Sequence, residues 1–389
     1  MKKLSLVLFC CLVISACSSS HGLDQRVQQS NYEQAVFGVA GVNTSNEPFR
    51  FWGGEAPNFL YNQETNSSPL QPSPQGLNIL VLSGGGSNGA YGAGVLNGLR
   101  DAGALPEFSI ITGVSAGALI APFVYVGGDE LTTMKTVMLD LNDKAILGNR
   151  NFLNTLFKDA FSNGEGLYGF IAATFDDAMI AKMALAQQGG KRLFIGTTHF
   201  DSGRQVIWNV GAIANSELPN KQALIHQILT ASSSIPGVFP PQFIKVDMAG
   251  EMREELHVDG GLSAQMFMDP SAYDYSQISQ SLGIEQSPQV FVVRNGALKM
   301  PYKPLKDKGV ELIGRSVQSL TVAQSRGDLY RMFYFSEKNG FNLRFSFVDS
   351  DFNAPKNKKL MFDQAYMQAL FDYGYQKATQ QQLWQSELQ

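Results

Sequence analysis

Cysteine is nearly absent from this chain of 389 residues: there are three, Cys10, Cys11 and Cys17, all close to the start. Past residue 17 there is no thiol. An internal disulfide, a cysteine-ligated metal and a cysteine nucleophile are therefore excluded from the body of the protein. Histidine is almost as scarce, with His21, His199, His226 and His257. An excess of one charge is also lacking, since 30 basic residues face 34 acidic ones, for a net charge of −4. No basic stripe of the kind that binds nucleic acid is visible. Beyond the first residues no apolar run reaches the roughly 18 residues that a membrane-crossing helix needs. Internal repeats are missing as well. A hydrophobic fraction of 44% excludes a disordered chain, and the length suits one large domain with appendages, or two domains.

What is present begins at the N-terminus. Lys2 and Lys3 precede an apolar run from Leu4 to Ile14, then Ser15 and Ala16. This is the pattern of a secretory signal peptide over residues 1–16. The run ends Ile14-Ser15-Ala16-Cys17, which resembles the bacterial lipobox, and the resemblance implies an acylated Cys17 as the new first residue. Attached acyl chains would hold the protein to a membrane. Ser18 stands where many such lipoproteins retained at the inner membrane have Asp, so the outer membrane is favoured. Residues 17–76 read as a lipidated tether and N-terminal segment. Ser18 to Ser30 is a polar tether, and the proline-, serine- and asparagine-rich stretch from Asn62 to Gly76 is a linker. Between them Phe49-Arg50-Phe51-Trp52 is aromatic enough to pack on the main domain.

From Leu77 the rhythm becomes that of alternating strands and helices. Strands are expected at Asn78–Leu82, Phe108–Thr112, Arg192–Thr198, Arg204–Asn209, Gln289–Arg294 and Asn342–Val348. Helices are expected at Ala90–Leu105, Ala116–Val126, Asp129–Leu147, Thr174–Gln188, Asn220–Ser232, Val310–Ser325 and Lys359–Lys377. Asp201-Ser202-Gly203 marks a hairpin turn. Apolar strands ending in glycine and followed by helices give βαβ units. The fold class is α/β, with a mainly parallel central sheet covered by helices on both faces. A main domain is expected over 77–296, with residues 297–389 as a C-terminal α/β extension packed on the core.

Three short segments carry chemistry. Gly113-Val114-Ser115-Ala116-Gly117 lies between a strand and a helix, the context of a nucleophile elbow, in which a sharp turn projects the serine hydroxyl from the end of a sheet. Gly84-Gly85-Gly86-Ser87-Asn88-Gly89 follows the first strand. Read as a dinucleotide fingerprint it would need an acidic residue ending the next strand, and Glu107 precedes that strand instead. Read as an oxyanion hole it needs bare N–H groups at a helix N-terminus, which consecutive glycines supply. The third segment is Asp259-Gly260-Gly261. A nucleophilic serine needs a base. Every histidine precedes Asp259, so the order Ser, Asp, His cannot use that acid. Triads through His199, His226 or His257 with an earlier acid stay open, as does Asp259 acting alone with its affinity for protons raised by burial.

Taken in order, these segments resemble the patatin-like phospholipase family, as does Ala231-Ser232-Ser233-Ser234-Ile235-Pro236-Gly237-Val238-Phe239-Pro240-Pro241 upstream of Asp259. The resemblance spans roughly Leu77 to Gly296. It implies a three-layer patatin-like fold and a Ser–Asp dyad with Ser115 as nucleophile and Asp259 as proton acceptor. Gly84, Gly85 and Gly86 would be the oxyanion donors, with Gly89, Gly113, Gly117, Gly260 and Gly261 completing the motifs. It implies no metal or organic cofactor, and a membrane lipid as substrate. Many family members carry Arg or Lys where this chain has Asn88. The activity implied is that of a lipid acyl hydrolase, a phospholipase A or lysophospholipase. The alternatives are an acyltransferase or general esterase with the same dyad, and a catalytically idle envelope lipoprotein that binds lipid.

Overall fold

A computed structural model of the chain describes residues 26–37, 47–71, 73, 76–148, 162–268, 274–357, 359–381 and 383–387. The expected signal peptide, Cys17 and residues 18–25 of the tether lie outside them.

The strand at Asn78–Leu82 (β2) is buried at every position. Side chains of a strand alternate between faces. Accordingly Leu80 and Leu82 join one apolar cluster and Ile79 and Val81 another on the opposite side. An unbroken apolar run therefore means a sheet covered twice. In chain order the other strands are β1 (Arg50–Trp52), β3 (Ile110–Gly113), β4 (Arg192–His199), β5 (Arg204–Asn209), β6 (Gln242–Met248), β7 (Glu251–Asp259), β8 (Gln289–Val293) and β9 (Asn342–Ser346). The sheet runs β1-β5-β4-β3-β2-β8-β9. From β4 to β9 the neighbours are parallel. The flank is antiparallel: β5 pairs with β4 and β1, and β7 pairs with β4 and β6. The tight hairpins in this flank, β4–β5 and β6–β7, are connections that only antiparallel pairing permits.

The helices are α1 (Gly89–Asp101), α2 (Ala116–Val126), α3 (Glu130–Asp140), α4 (Asp143–Leu147), α5 (Glu165–Thr174), α6 (Asp177–Gln188), α7 (Val210–Ala214), α8 (Lys221–Ser232), α9 (Tyr275–Ser281), α10 (Gly309–Asn339) and α11 (Gln364–Thr379). Leu96 of α1, Ile120 of α2, Met183 of α6, Ile228 of α8 and Leu370 of α11 cover one face of the sheet. Ile278 of α9 and Leu329 and Met332 of α10 cover the other. The α/β class and its central sheet between two helical layers are thus as expected.

Several boundaries differ, each for a local reason. α1 stops at Asp101 because Gly103, with φ +64°, turns the chain so that Ala104 N–H caps Leu99 O at 2.8 Å. The single helix expected over 129–147 is two. Asn142 is extended and its side chain accepts from Ala145 N–H at 3.0 Å, starting α4 anew. α10 continues to Asn339, because Ser325, Leu329 and Met332 recur on one buried face. The β6–β7 hairpin, unforeseen, turns at Ala249 and Gly250, both with positive φ.

The N-terminal stretches are not loose where they are described. Arg26 pairs with Asp201 at 2.5 Å and Val27 N–H donates to Glu254 O. In the expected linker Leu70 is completely buried. Arg50 of β1 forks onto the carboxylate of Glu255, both buried, and Arg192 forks onto Glu47.

Candidate active site

β3 ends at Gly113, and only Val114 and Ser115 separate it from α2. Ser115 makes this turn with φ 52° and ψ −122°. That is a strained conformation for a residue with a side chain. Two glycines allow it. A Cβ on Gly117 would lie 2.4 Å from Leu82 O, and one on Gly113 2.6 Å from Gly117 O. The turn is held from outside as well: Ser115 N–H donates to Ser232 Oγ at 3.0 Å, and that hydroxyl donates to Gly196 O at 2.7 Å. Ser232 ends α8 within the Ala231–Pro241 stretch, which gives the stretch a role the sequence did not specify.

Asp259 is the last residue of β7, and the sheet register explains why it meets Ser115. β5 occupies one edge of β4 from Phe194 to His199. β3 and β7 share the other edge, with Gly113 opposite Ile195 and Asp259 opposite Thr197. The C-terminal ends of two strands running in opposite directions therefore meet. Ser115 Oγ donates to Asp259 Oδ2 at 2.7 Å, while Oδ1 accepts from Gly261 N–H at 2.8 Å. Both side chains are buried. Burial pushes the Asp259 carboxyl up to about 6, although the bonds from Ser115 and Gly261 pull the other way. A carboxylate so placed is a stronger base than one in water.

The glycine loop departs from expectation at one position. Gly84 N–H is already spent on Gln265 O at 3.2 Å, so Gly84 is not a free donor. Gly85 and Gly86, at the cavity holding Ser115, have N–H groups with no acceptor among the described residues. Gly86 has φ +55°. Gly89 packs α1 against α2, where a Cβ would sit 2.9 Å from Ala116 Cβ.

Beneath this loop stand residues that the sequence did not single out. Asn295 accepts from Gly92 N–H and donates from its side chain to Ser83 O at 2.8 Å. The Arg294 guanidinium donates from Nη1 to Gly84 O at 2.7 Å and to Ser83 Oγ at 3.1 Å. A trans peptide points its C=O and N–H in opposite directions. Fixing Gly84 O on Arg294 therefore fixes the aim of Gly85 N–H and polarises it. Arg294 is buried, its Nε has no partner among the described residues, and burial lowers its pKa to about 10. An arginine just past an apolar strand was the only signal in the sequence.

The histidines stand aside. His257 bonds Glu255 at 3.0 Å and Thr197 Oγ1 at 3.0 Å. His199 Nδ1 meets Ser202 Oγ, and His226 Nε2 meets Phe175 O at 2.7 Å. None of these bonds reaches Ser115 or Asp259, so triads through His199, His226 or His257 do not form; His21 lies outside the described residues.

Ser115 and Asp259 open onto a cavity of about 880 Å³. Ile235, Leu262, Met300, Leu320, Phe352 and Met361 give it apolar walls, and Arg294, Lys299 and Lys356 give it cations. Lys356 Nζ donates to Ser87 Oγ at 2.8 Å, and burial lowers its pKa. The space suits a long apolar group that ends in a polar or anionic one.

The family model of patatin-like phospholipases matches residues 80–270. Triacylglycerol lipase 5 of Saccharomyces cerevisiae aligns over 218 residues at 28% identity, which is 53% of this chain and 28% of the yeast protein. The match thus spans little more than a quarter of that relative's length. Among solved structures, VipD from Legionella pneumophila superposes with a TM-score of 0.39 at 14% identity, covering 81% of this chain and 68% of VipD. The type III effector ExoU of Pseudomonas aeruginosa gives 0.34 at 15% identity, covering 80% and 54%.

Proposed function

We propose that this chain, whose residues 80–270 are a patatin-like phospholipase domain, hydrolyses fatty-acyl esters of lipids through Ser115 and Asp259. The observation that carries the reading is the 2.7 Å hydrogen bond from Ser115 Oγ to a buried carboxylate whose pKa lies at about 6. Asp259 takes the hydroxyl proton as Ser115 Oγ attacks the ester carbonyl. Gly85 and Gly86 N–H groups stabilise the negative charge that develops on the carbonyl oxygen. The alcohol leaves with the proton from Asp259, and an acyl group stays on Ser115. Water, deprotonated by Asp259, then releases the fatty acid and restores the serine.

The finer reading is a phospholipase A or lysophospholipase. It is supported by the pairing of apolar walls with Arg294, Lys299 and Lys356 in one cavity, which suits an acyl chain beside a phosphate. Asn88 leaves the glycine loop without a charge, and Arg294 brings one to the same loop from the end of β8. The Ile14-Ser15-Ala16-Cys17 sequence supports an acylated Cys17 that anchors the enzyme in a bacterial envelope, and Ser18 in place of Asp favours the outer membrane over the inner.

Fatty-acid release from mixed bacterial phospholipids by the purified protein, beside its Ser115→Ala variant, tests the reading. Release by the wild type alone supports it, and the products name the bond cut. No release by either, together with no labelling of Ser115 by a fluorophosphonate, refutes it.

A further inference from the structure

The long helix α10 has two unlike halves. Its second half is packed against the sheet through Leu329 and Met332. Its first half stands out from the body, and every described side chain from Glu311 to Leu320 is exposed except Arg315, which is half-buried. An exposed half-helix should be polar. This one carries Leu312, Ile313, Val317 and Leu320, with Ile313 67% and Leu320 70% exposed. Ile313, Val317 and Leu320 are spaced by four and three residues, so they share one stripe. Just before the helix Tyr302 is 95% exposed. Arg315 ties this loop to the helix by donating to Pro301 O at 2.6 Å.

The charge of the segment is opposite to that of the protein. Lys299, Lys303, Lys306, Lys308 and Arg315 face only Asp307 and Glu311 between residues 299 and 320, in a chain whose net charge is −4. Apolar side chains ringed by cations, on a helix that is not apolar enough to cross a membrane, are the composition of a surface that lies in the head-group layer of an anionic bilayer. The place fits too. Lys299, Met300, Pro301, Val317 and Leu320 line the cavity that holds Ser115 and Asp259.

We propose that the loop 299–308 and the first half of α10 form a docking surface for anionic lipid bilayers, which sets the mouth of the Ser115 cavity against the membrane. The purpose of this surface rests on the lipid-hydrolase reading, but its existence can be tested apart from it. The full chain carrying Ser115→Ala leaves vesicles intact, and Cys17→Ser removes any acyl anchor. This protein should co-sediment with vesicles of phosphatidylethanolamine and phosphatidylglycerol about ten-fold more tightly than with phosphatidylcholine vesicles, and salt should weaken the binding. Leu312→Gln/Ile313→Gln and, separately, Lys303→Glu/Lys306→Glu should each lower that affinity about ten-fold. These positions are exposed and lie outside the cavity lining, so with Ser115 restored both variants should hydrolyse a soluble short-chain ester as the parent does.

Vesicle binding unchanged in both variants, or equal binding to both kinds of vesicle, would overturn the surface. So would self-association of the parent that Leu312→Gln/Ile313→Gln abolishes without any vesicle binding, since the patch would then be a contact between copies. Ester hydrolysis without vesicle binding defeats this proposal alone. Vesicle binding without hydrolysis of any ester by the Ser115 protein defeats the hydrolase reading alone.

Discussion

The Ser115 hydroxyl and the Asp259 carboxylate, 144 residues apart in sequence, share a 2.7 Å hydrogen bond with no histidine between them. The carboxylate has one oxygen for the serine and the other for Gly261 N–H. The side chain is otherwise buried, and the consequences of that burial for activity and for stability have opposite signs.

Asp259→Asn should lower kcat by about 10²–10⁴-fold, the usual worth of a positioned general base. It should also stabilise the fold. A carboxyl raised from 3.8 to about 6 on folding binds its proton more tightly in the native state. The stability this gives is present in full below about pH 4 and is lost as pH rises through about 6, so the ionised aspartate is a burden at neutral pH. The asparagine variant should therefore be more stable than the wild type at about pH 8, by up to about 3 kcal/mol. The gap should close as pH falls from about 6 towards about 4. Calorimetry across that range, beside esterase assays, checks both halves.

The base must be ionised to work. The kcat/KM for a soluble ester should rise with pH along a single ionisation at about 6 and stay level above it. His257→Ala should leave that midpoint in place, since no bond of the His257 ring reaches the dyad. A midpoint that moves with His257 would mean that the titrating group has been misassigned.

Arg294 is a positioning residue that acts through the Gly84 peptide. Arg294→Met should reduce kcat by about 10²-fold, comparable to losing one oxyanion donor, while KM for a neutral short-chain ester changes little. Arg294→Lys should recover part of the loss. Equal falls in activity and in thermal stability for both variants would point to a merely structural arginine.

The N-terminal segment lies outside the matched family region, yet Arg50 forks onto buried Glu255. His257 and Arg50 hold that carboxyl down at about 2 against the upward push of burial. Arg50→Met leaves the buried Glu255 charge with the His257 bond but without its arginine, and should destabilise the protein by about 3–5 kcal/mol. Denaturant unfolding at neutral pH measures it. A double variant, Arg50→Met/Glu255→Gln, should recover part of the loss.

The elbow tolerates no side chain at its flank. In Gly117→Ala the new methyl would meet Leu82 O at 2.4 Å, which is backbone and cannot swing away. The variant should unfold at lower temperature and lose activity, while Gly203→Ala, where a Cβ meets nothing within 4 Å but φ is +70°, should bring only the smaller penalty of a strained turn.

Much of this architecture was legible in the residues alone. The apolar runs at Asn78–Leu82 and Gln289–Val293 named a doubly covered sheet, because a strand with no polar face has nowhere else to go. Gly-x-Ser-x-Gly placed between a strand and a helix named the turn that strains Ser115, and local sterics alone require the two glycines. Beyond this point local rules are silent. Whether Asp259 or a histidine faces the serine depends on which strand lies beside β4 past the end of β3, and in which direction it runs. That is a matter of register between segments far apart in the chain. The same holds for Gly84, whose N–H is taken by Gln265, and for Arg294, which reaches the glycine loop only because β8 lies beside β2. It holds too for the exposed half of α10, whose apolar stripe reads as core until its neighbours in space are known. Periodicity tells a residue which face it is on; only the assembled sheet decides what that face meets.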